Sequence, residues 1–265
     1  MFRILHTMNR TGAWNMAFDE MLIQRVDAGL SEPCVRFYTW TPWCVTLGSF
    51  QAADEQLQVE RLQEAGYEVA KRTTGGRAVF HAQELTYTIC ARKDIAPWGK
   101  TLGSTYDWIA ERLLEGLAQV GFQGSLERGD NAAKEIARDQ HLTKPPCFSS
   151  ASRAEIAWQG RKVVGSAQRR TRNAFLQHGS ILLGPAHAEL VDFLDFPEEQ
   201  KSMLRAHLLQ HSVSLSEIPG VDAKLPNVLN ALEHTFAQAL GAAEGEIAPE
   251  ELAATKALLQ PKARS

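Results

Sequence analysis

The stretch Lys71-Arg72-Thr73-Thr74-Gly75-Gly76-Arg77-Ala78-Val79-Phe80-His81 sets two glycines between two arginines and ends on a histidine. Paired glycines let the backbone approach a ligand closely and leave N–H groups pointing outward. Arg72 and Arg77 offer charge-assisted hydrogen bonds to a phosphate or an acidic partner. His81, after three apolar residues, offers a polar wall to the same pocket. Taken alone, the glycine pair also reads as a tight hairpin turn with solvated arginines.

A second candidate is a thiol. Cys34, Cys44 and Cys90 stand in apolar runs and fit small buried hydrophobes. Cys147 instead follows Pro145-Pro146 at the end of a polar stretch, where packing asks little of a thiol. It is a candidate nucleophile, beside the commoner reading of an isolated cysteine as a small buried hydrophobe. An ordinary thiol, with a pKa near ~8.5, is only slightly ionised at neutral pH, and a nearby ammonium favours its thiolate. The cysteines form no Cys-x-x-Cys pair, so neither a zinc site nor a disulfide framework is expected, and a reducing compartment is the simpler reading.

The elements that must position these groups read as follows. A helix is expected from Thr11–Asn15 to Gly29, with Met16, Phe18, Met21, Leu22 and Val26 on its buried stripe. Short strands are expected at 35–38, 44–47, 67–72, 78–81 and 85–90, with a brief helix at 55–65. A longer helix runs from 104 to 120, capped by Ser104 and Asp107 and stopped by Gly121. Residues 154–164 read as a hairpin turning at Gln159-Gly160, and 175–183 as another strand. A late helix from Pro226 to Leu240 closes at Gly241, and the Ala-, Glu- and Lys-rich end is expected to fray. Residues 123–146 read as a long surface loop.

The 265 residues allow one large domain, or one with a small appendage. The 28 basic and 31 acidic residues give a net charge of −3, which argues against a nucleic-acid binder. No segment approaches the roughly 18 apolar residues of a membrane span. The expectation is a soluble cytoplasmic protein without signal peptide or anchor.

The wording Arg-x-x-Gly-Gly-x-Ala-Val-Phe-His, together with Asn15-Met16-Ala17-Phe18-Asp19-Glu20, resembles the lipoate and biotin protein ligase family, which also includes octanoyltransferases. The likeness runs from about Trp14 to Leu240. It implies an α+β catalytic domain, a mixed sheet flanked by helices, with an acyl tunnel beside the glycine turn. The expected arrangement is a single domain over 1–265, with the catalytic unit at about 29–244 and no separate C-terminal ligase domain.

Within the family, ligases carry an Arg-Asn-Asp-like sequence where this chain has Pro145-Pro146-Cys147-Phe148-Ser149-Ser150. The cysteine resembles that of octanoyl-[acyl-carrier-protein]:protein N-octanoyltransferases with a loop nucleophile. Gly160-Arg161-Lys162-Val163-Val164-Gly165-Ser166-Ala167-Gln168 resembles the family's Gly-x-Lys-x-x-Gly-x-Ala-Gln motif, which makes Lys162 the partner of Cys147. The resemblance implies substrate contacts at Arg72, Gly75, Gly76, Arg77, Ala78 and His81, at Gly165, Ser166, Ala167 and Gln168, and at His178 and Gly179. His178 reads equally as a satisfied core histidine.

The implied reaction needs no cofactor and no metal. Its donor is octanoyl-acyl carrier protein, and its acceptor is glycine cleavage H protein or a lipoyl domain; neither nucleic acid nor membrane takes part. Arg169, Arg170 and Arg172 form a basic cluster suited to steering an acidic carrier protein, or a solvated charge run. Three alternatives stand beside it: an ATP-dependent lipoate–protein ligase, an amidotransferase taking octanoate from H protein, and a non-catalytic carrier-binding module.

Overall fold

Strand β1 (Arg3–Arg10), which the sequence reading missed, opens a computed structural model that describes residues 1–51, 57–98, 101–127 and 155–260. Cys147 and the rest of 128–154 lie outside the described residues. Helix α1 (Gly12–Asp27) follows, and its N-terminus is capped by Thr11, whose hydroxyl accepts from the Trp14 N–H at 3.2 Å. Then come β2 (Cys34–Trp40), β3 (Cys44–Leu47), α2 (Val59–Glu64), β4 (Glu68–Lys71), β5 (Val79–His81) and β6 (Glu84–Arg92). The next helix, α3 (Leu102–Ala118), starts at a Thr101–Ser104 capping box, three residues before the expected cap.

Strand β7 (Ser125–Glu127) occupies part of the expected long loop. It pairs with β8 (Glu155–Trp158), which turns through Gln159 (φ 50) and Gly160 (φ 76) into β9 (Arg161–Arg170). Two consecutive positive φ values give the turn a twist that matches the flanking strands. The chain continues through β10 (Ala174–Leu182), a 3₁₀ stretch at Pro185–Phe193, α4 (Glu198–His211), α5 (Leu225–Leu240), β11 (Ala243–Glu244) and α6 (Pro249–Leu259). Gly241, left-handed at φ 59, ends α5 as expected. Helix α6 is a correction to the frayed end: it packs on α1, and Glu251 grips Arg3 at 2.7 Å.

Among the described residues, one sheet has the order β11-β1-β2-β6-β10-β9-β8-β7, parallel at β11-β1-β2 and antiparallel beyond. A smaller sheet, β4-β3-β5, lies beside it. Strand alternation divides the side chains of the large sheet between its two faces. Val35 and Phe37 of β2 and Tyr87 and Ile89 of β6 meet Ile109, Leu113 and Phe236 of α3 and α5. Each such side chain, fully buried, stabilises by roughly 1.5–3 kcal/mol. Residues between them, such as Arg36 and Thr88, point to the α1 face, where they meet Asp19. The result is the expected mixed-sheet α+β domain, with one face of its sheet partly polar.

Candidate active site

That polar face closes over a cavity of about 240 Å³ between the large sheet, α1 and the glycine turn linking β4 to β5. From the turn and the strands flanking it, Arg72, Gly75, Gly76, Arg77 and His81 line it. From β9 and β10 come Lys162, Gly165, Ser166, Ala167, His178 and Gly179. Two expected contacts point elsewhere. Ala78 packs on the core of the small sheet, and Gln168 donates from Nε2 to Gln177 at 2.9 Å.

The turn is held by its own arginine. Arg72 is 4% exposed and donates to the carbonyls of Thr46, Gly75 and Arg77 at 2.9, 3.0 and 2.7 Å. Its guanidinium therefore shapes the turn. Gly48 explains why small residues are needed nearby: a Cβ there would stand 2.0 Å from the Gly76 carbonyl oxygen.

Two histidines on facing walls share one pattern. His178 Nδ1 lies 3.1 Å from Asp19 Oδ2, and its Nε2 lies 2.7 Å from the Thr74 hydroxyl. His81 Nδ1 lies 2.7 Å from Glu84 Oε1, and its Nε2 lies 2.7 Å from the Thr46 hydroxyl. A carboxylate only accepts, so each Nδ1 donates to its acid, and the Nε2 of a neutral imidazole accepts from its threonine. Burial drives the pKa of His178 below 6.5 against the pull of Asp19, so the imidazole is neutral at pH 7. Burial would push the Asp19 carboxyl up, but the Arg36 charge and the hydrogen bonds from His178 and Arg36 hold it below its usual range.

Asp19 is fully buried. It accepts from Arg36 Nη1 at 2.6 Å, from the Thr88 hydroxyl at 3.1 Å and from Tyr38 Oη at 3.2 Å. Arg36 also donates to Asn15 and lies 3.7 Å from the centre of the Tyr38 ring. Sequence reasoning missed Asp19, Glu84 and both threonines as site residues. For Glu84 the available signal was Glu84-Leu85-Thr86-Tyr87-Thr88-Ile89, polar at every second position of a strand too apolar to face water.

Lys162 is 7% exposed and donates to Glu155 Oε1 at 2.5 Å. Whether Lys162 meets Cys147 falls outside the described residues. Burial pushes the Cys34 thiol up to about 12 and raises those of Cys44 and Cys90 too, which leaves them inert at neutral pH. Arg169 of the basic cluster bonds Glu20 at 2.6 Å and also Thr73. Among the described residues, no group of three or more His, Cys, Asp or Glu could hold a metal ion, and no helix is long and apolar enough to cross a membrane.

Residues 11–237 match the model of the lipoyl protein ligase A/B catalytic domain. The chain is 37% identical to the octanoyltransferase LipM of Kyrpidia tusciae, over 94% of this chain and 92% of that one. It is 30% identical to the LipM of Staphylococcus aureus, over 95% and 90%. Its fold superposes on a bipartite lipoate protein ligase from Thermoplasma acidophilum with a TM-score of 0.76, at 21% identity over 97% of this chain and 91% of that one. A lipoate-protein ligase A bound with ATP gives 0.75, at 21% identity over 97% and 93%. The chain belongs to the lipoyl protein ligase A/B catalytic-domain family.

Proposed function

We propose that this protein is a cytoplasmic octanoyltransferase of protein lipoylation. It takes octanoyl from acyl carrier protein onto Cys147 and passes it to a lysine of glycine cleavage H protein or a related lipoyl domain. The observation that carries this reading is the convergence of the glycine turn and the Lys162–Gln168 strand on one cavity, with Lys162 in its wall. Cys147 precedes Glu155 by eight residues, and Glu155 touches Lys162.

The Cys147 thiolate attacks the donor's thioester carbon, and the carrier's thiolate leaves and takes a proton. This exchanges one thioester for another. The acceptor's lysine amine then attacks the acyl-cysteine, loses a proton, and expels the Cys147 thiolate as the amide forms. Lys162 favours the thiolate in the first step and assists proton transfer in the second.

Intact-mass analysis after mixing with octanoyl-acyl carrier protein, without ATP, tests this. One octanoyl adduct is expected on the wild type and none on Cys147→Ala. Wild-type turnover in Cys147→Ser would refute the mechanism, and strict dependence on ATP would favour the ligase reading.

A further inference from the structure

The cavity runs across the strands. Tyr38 of β2 pairs with Thr86 of β6, Thr86 with Ser180 of β10, and Ser180 with Gly165 of β9. All four line the cavity. Three inter-strand steps of about 4.8 Å place the ends of this row ~14 Å apart. The Gly165 end lies three residues from Lys162 on the same strand. The floor between offers little to a polar ligand, because the Thr86 and Ser180 hydroxyls are spent on Glu84 at 2.5 and 3.1 Å.

Buried side chains wall the Tyr38 end. Met16 of α1, 6% exposed, packs there with Tyr38, Trp40 and Cys44 in one apolar cluster and lines the cavity. Trp40 is fixed, stacked on His81 with ring centres 4.0 Å apart and donating from Nε1 to Thr86 at 2.7 Å. Tyr38 is fixed by its bond to Asp19. Met16 is the flexible member of this wall.

We infer that Met16 is the specificity-determining residue for acyl chain length, closing the Tyr38 end so that the site holds about eight carbons. This rests on the proposed function, which puts the thioester carbonyl at the Gly165–Lys162 end. An extended chain advances about 1.25 Å per carbon–carbon bond of 1.52 Å. Octanoyl, with seven such bonds beyond its carbonyl carbon, reaches about 9 Å, and contact with the end wall takes about 4 Å more. That fills the row. Dodecanoyl, with eleven bonds, reaches about 14 Å and overruns the row by ~4 Å once end-wall contact is included.

The test compares kcat/KM for hexanoyl, octanoyl and dodecanoyl thioesters of acyl carrier protein, using the whole protein. A buried methylene is worth about fourfold. Met16→Ala should raise the dodecanoyl-to-octanoyl ratio at least ~10-fold, and Met16→Phe should raise the hexanoyl-to-octanoyl ratio by a similar factor. The two changes act in opposite directions, so either one, shown folded by its melting curve, decides the matter. Ratios within about twofold of wild type in a folded variant overturn the inference. Failure of the wild type to transfer any of the thioesters overturns the proposed function instead.

Discussion

Replacing Asp19 by asparagine keeps the shape of the side chain and removes its charge. In the wild type that carboxylate neutralises Arg36, which is wholly buried, and accepts from His178, Thr88 and Tyr38. An asparagine oxygen cannot serve all these donors, and its amide adds donors of its own. Removing one partner of a buried ion pair costs about 3–5 kcal/mol. For a domain of this size each kcal/mol moves Tm by roughly 2–4 °C, so Asp19→Asn should melt roughly 6–20 °C lower.

The pH dependence sharpens the test. The Asp19 pKa is lowered in the fold, so its stabilisation is complete above the unfolded value near ~3.9 and is lost as pH falls through the folded value. The gap between wild type and Asp19→Asn, measured by urea titration, should be full at pH 7 and narrow in acid below about pH 4. A gap under about 1 kcal/mol at pH 7, or one that persists unchanged into acid, would refute the assignment of Asp19 as the buried counter-ion.

Thr74→Val should leave the buried His178 Nε2 without its donor, at a cost of about 1–3 kcal/mol, and raise the donor KM; Thr74→Ser should behave as wild type, and equal KM values in both would count against the relay. Gly48→Ala drives a methyl against the Gly76 carbonyl, so donor binding should weaken while calorimetry still shows a folded protein; unchanged KM would argue that the turn yields freely. Lys162→Ala should slow formation of the acyl-cysteine and shift its rate profile to higher pH, because the thiol loses a cation that favours its ionised form. An identical profile would remove Lys162 from that role.

Much of this architecture was legible because local signals agreed with it. Gln159-Gly160 supplied a turn, Gly241 a helix stop, and the glycine pair after Lys71-Arg72 marked a backbone position that approaches Gly48 closely. Strand β1 escaped because an interior strand buries both faces, so adjacent Ile4 and Leu5 are equally inside and no alternation shows. Helix α6 escaped because composition reports solubility, whereas Glu251 is buried by an arginine 248 residues away. The same blindness hid the relays. Asp19 looks like a surface acid until the sheet brings Arg36 under helix α1, and Glu84 and Glu155 look so until the turns beside them fold His81 and Lys162 back onto them.

Helix α1 serves two masters. It supplies Met16 to the cavity and Asp19 to Arg36. Peeling it away would expose an arginine to a half-emptied interior and unmake the binding chamber in the same motion. Fraying of this segment is thus coupled to whole-molecule unfolding, and an occupied chamber should protect its amides from exchange as strongly as it protects the central strands.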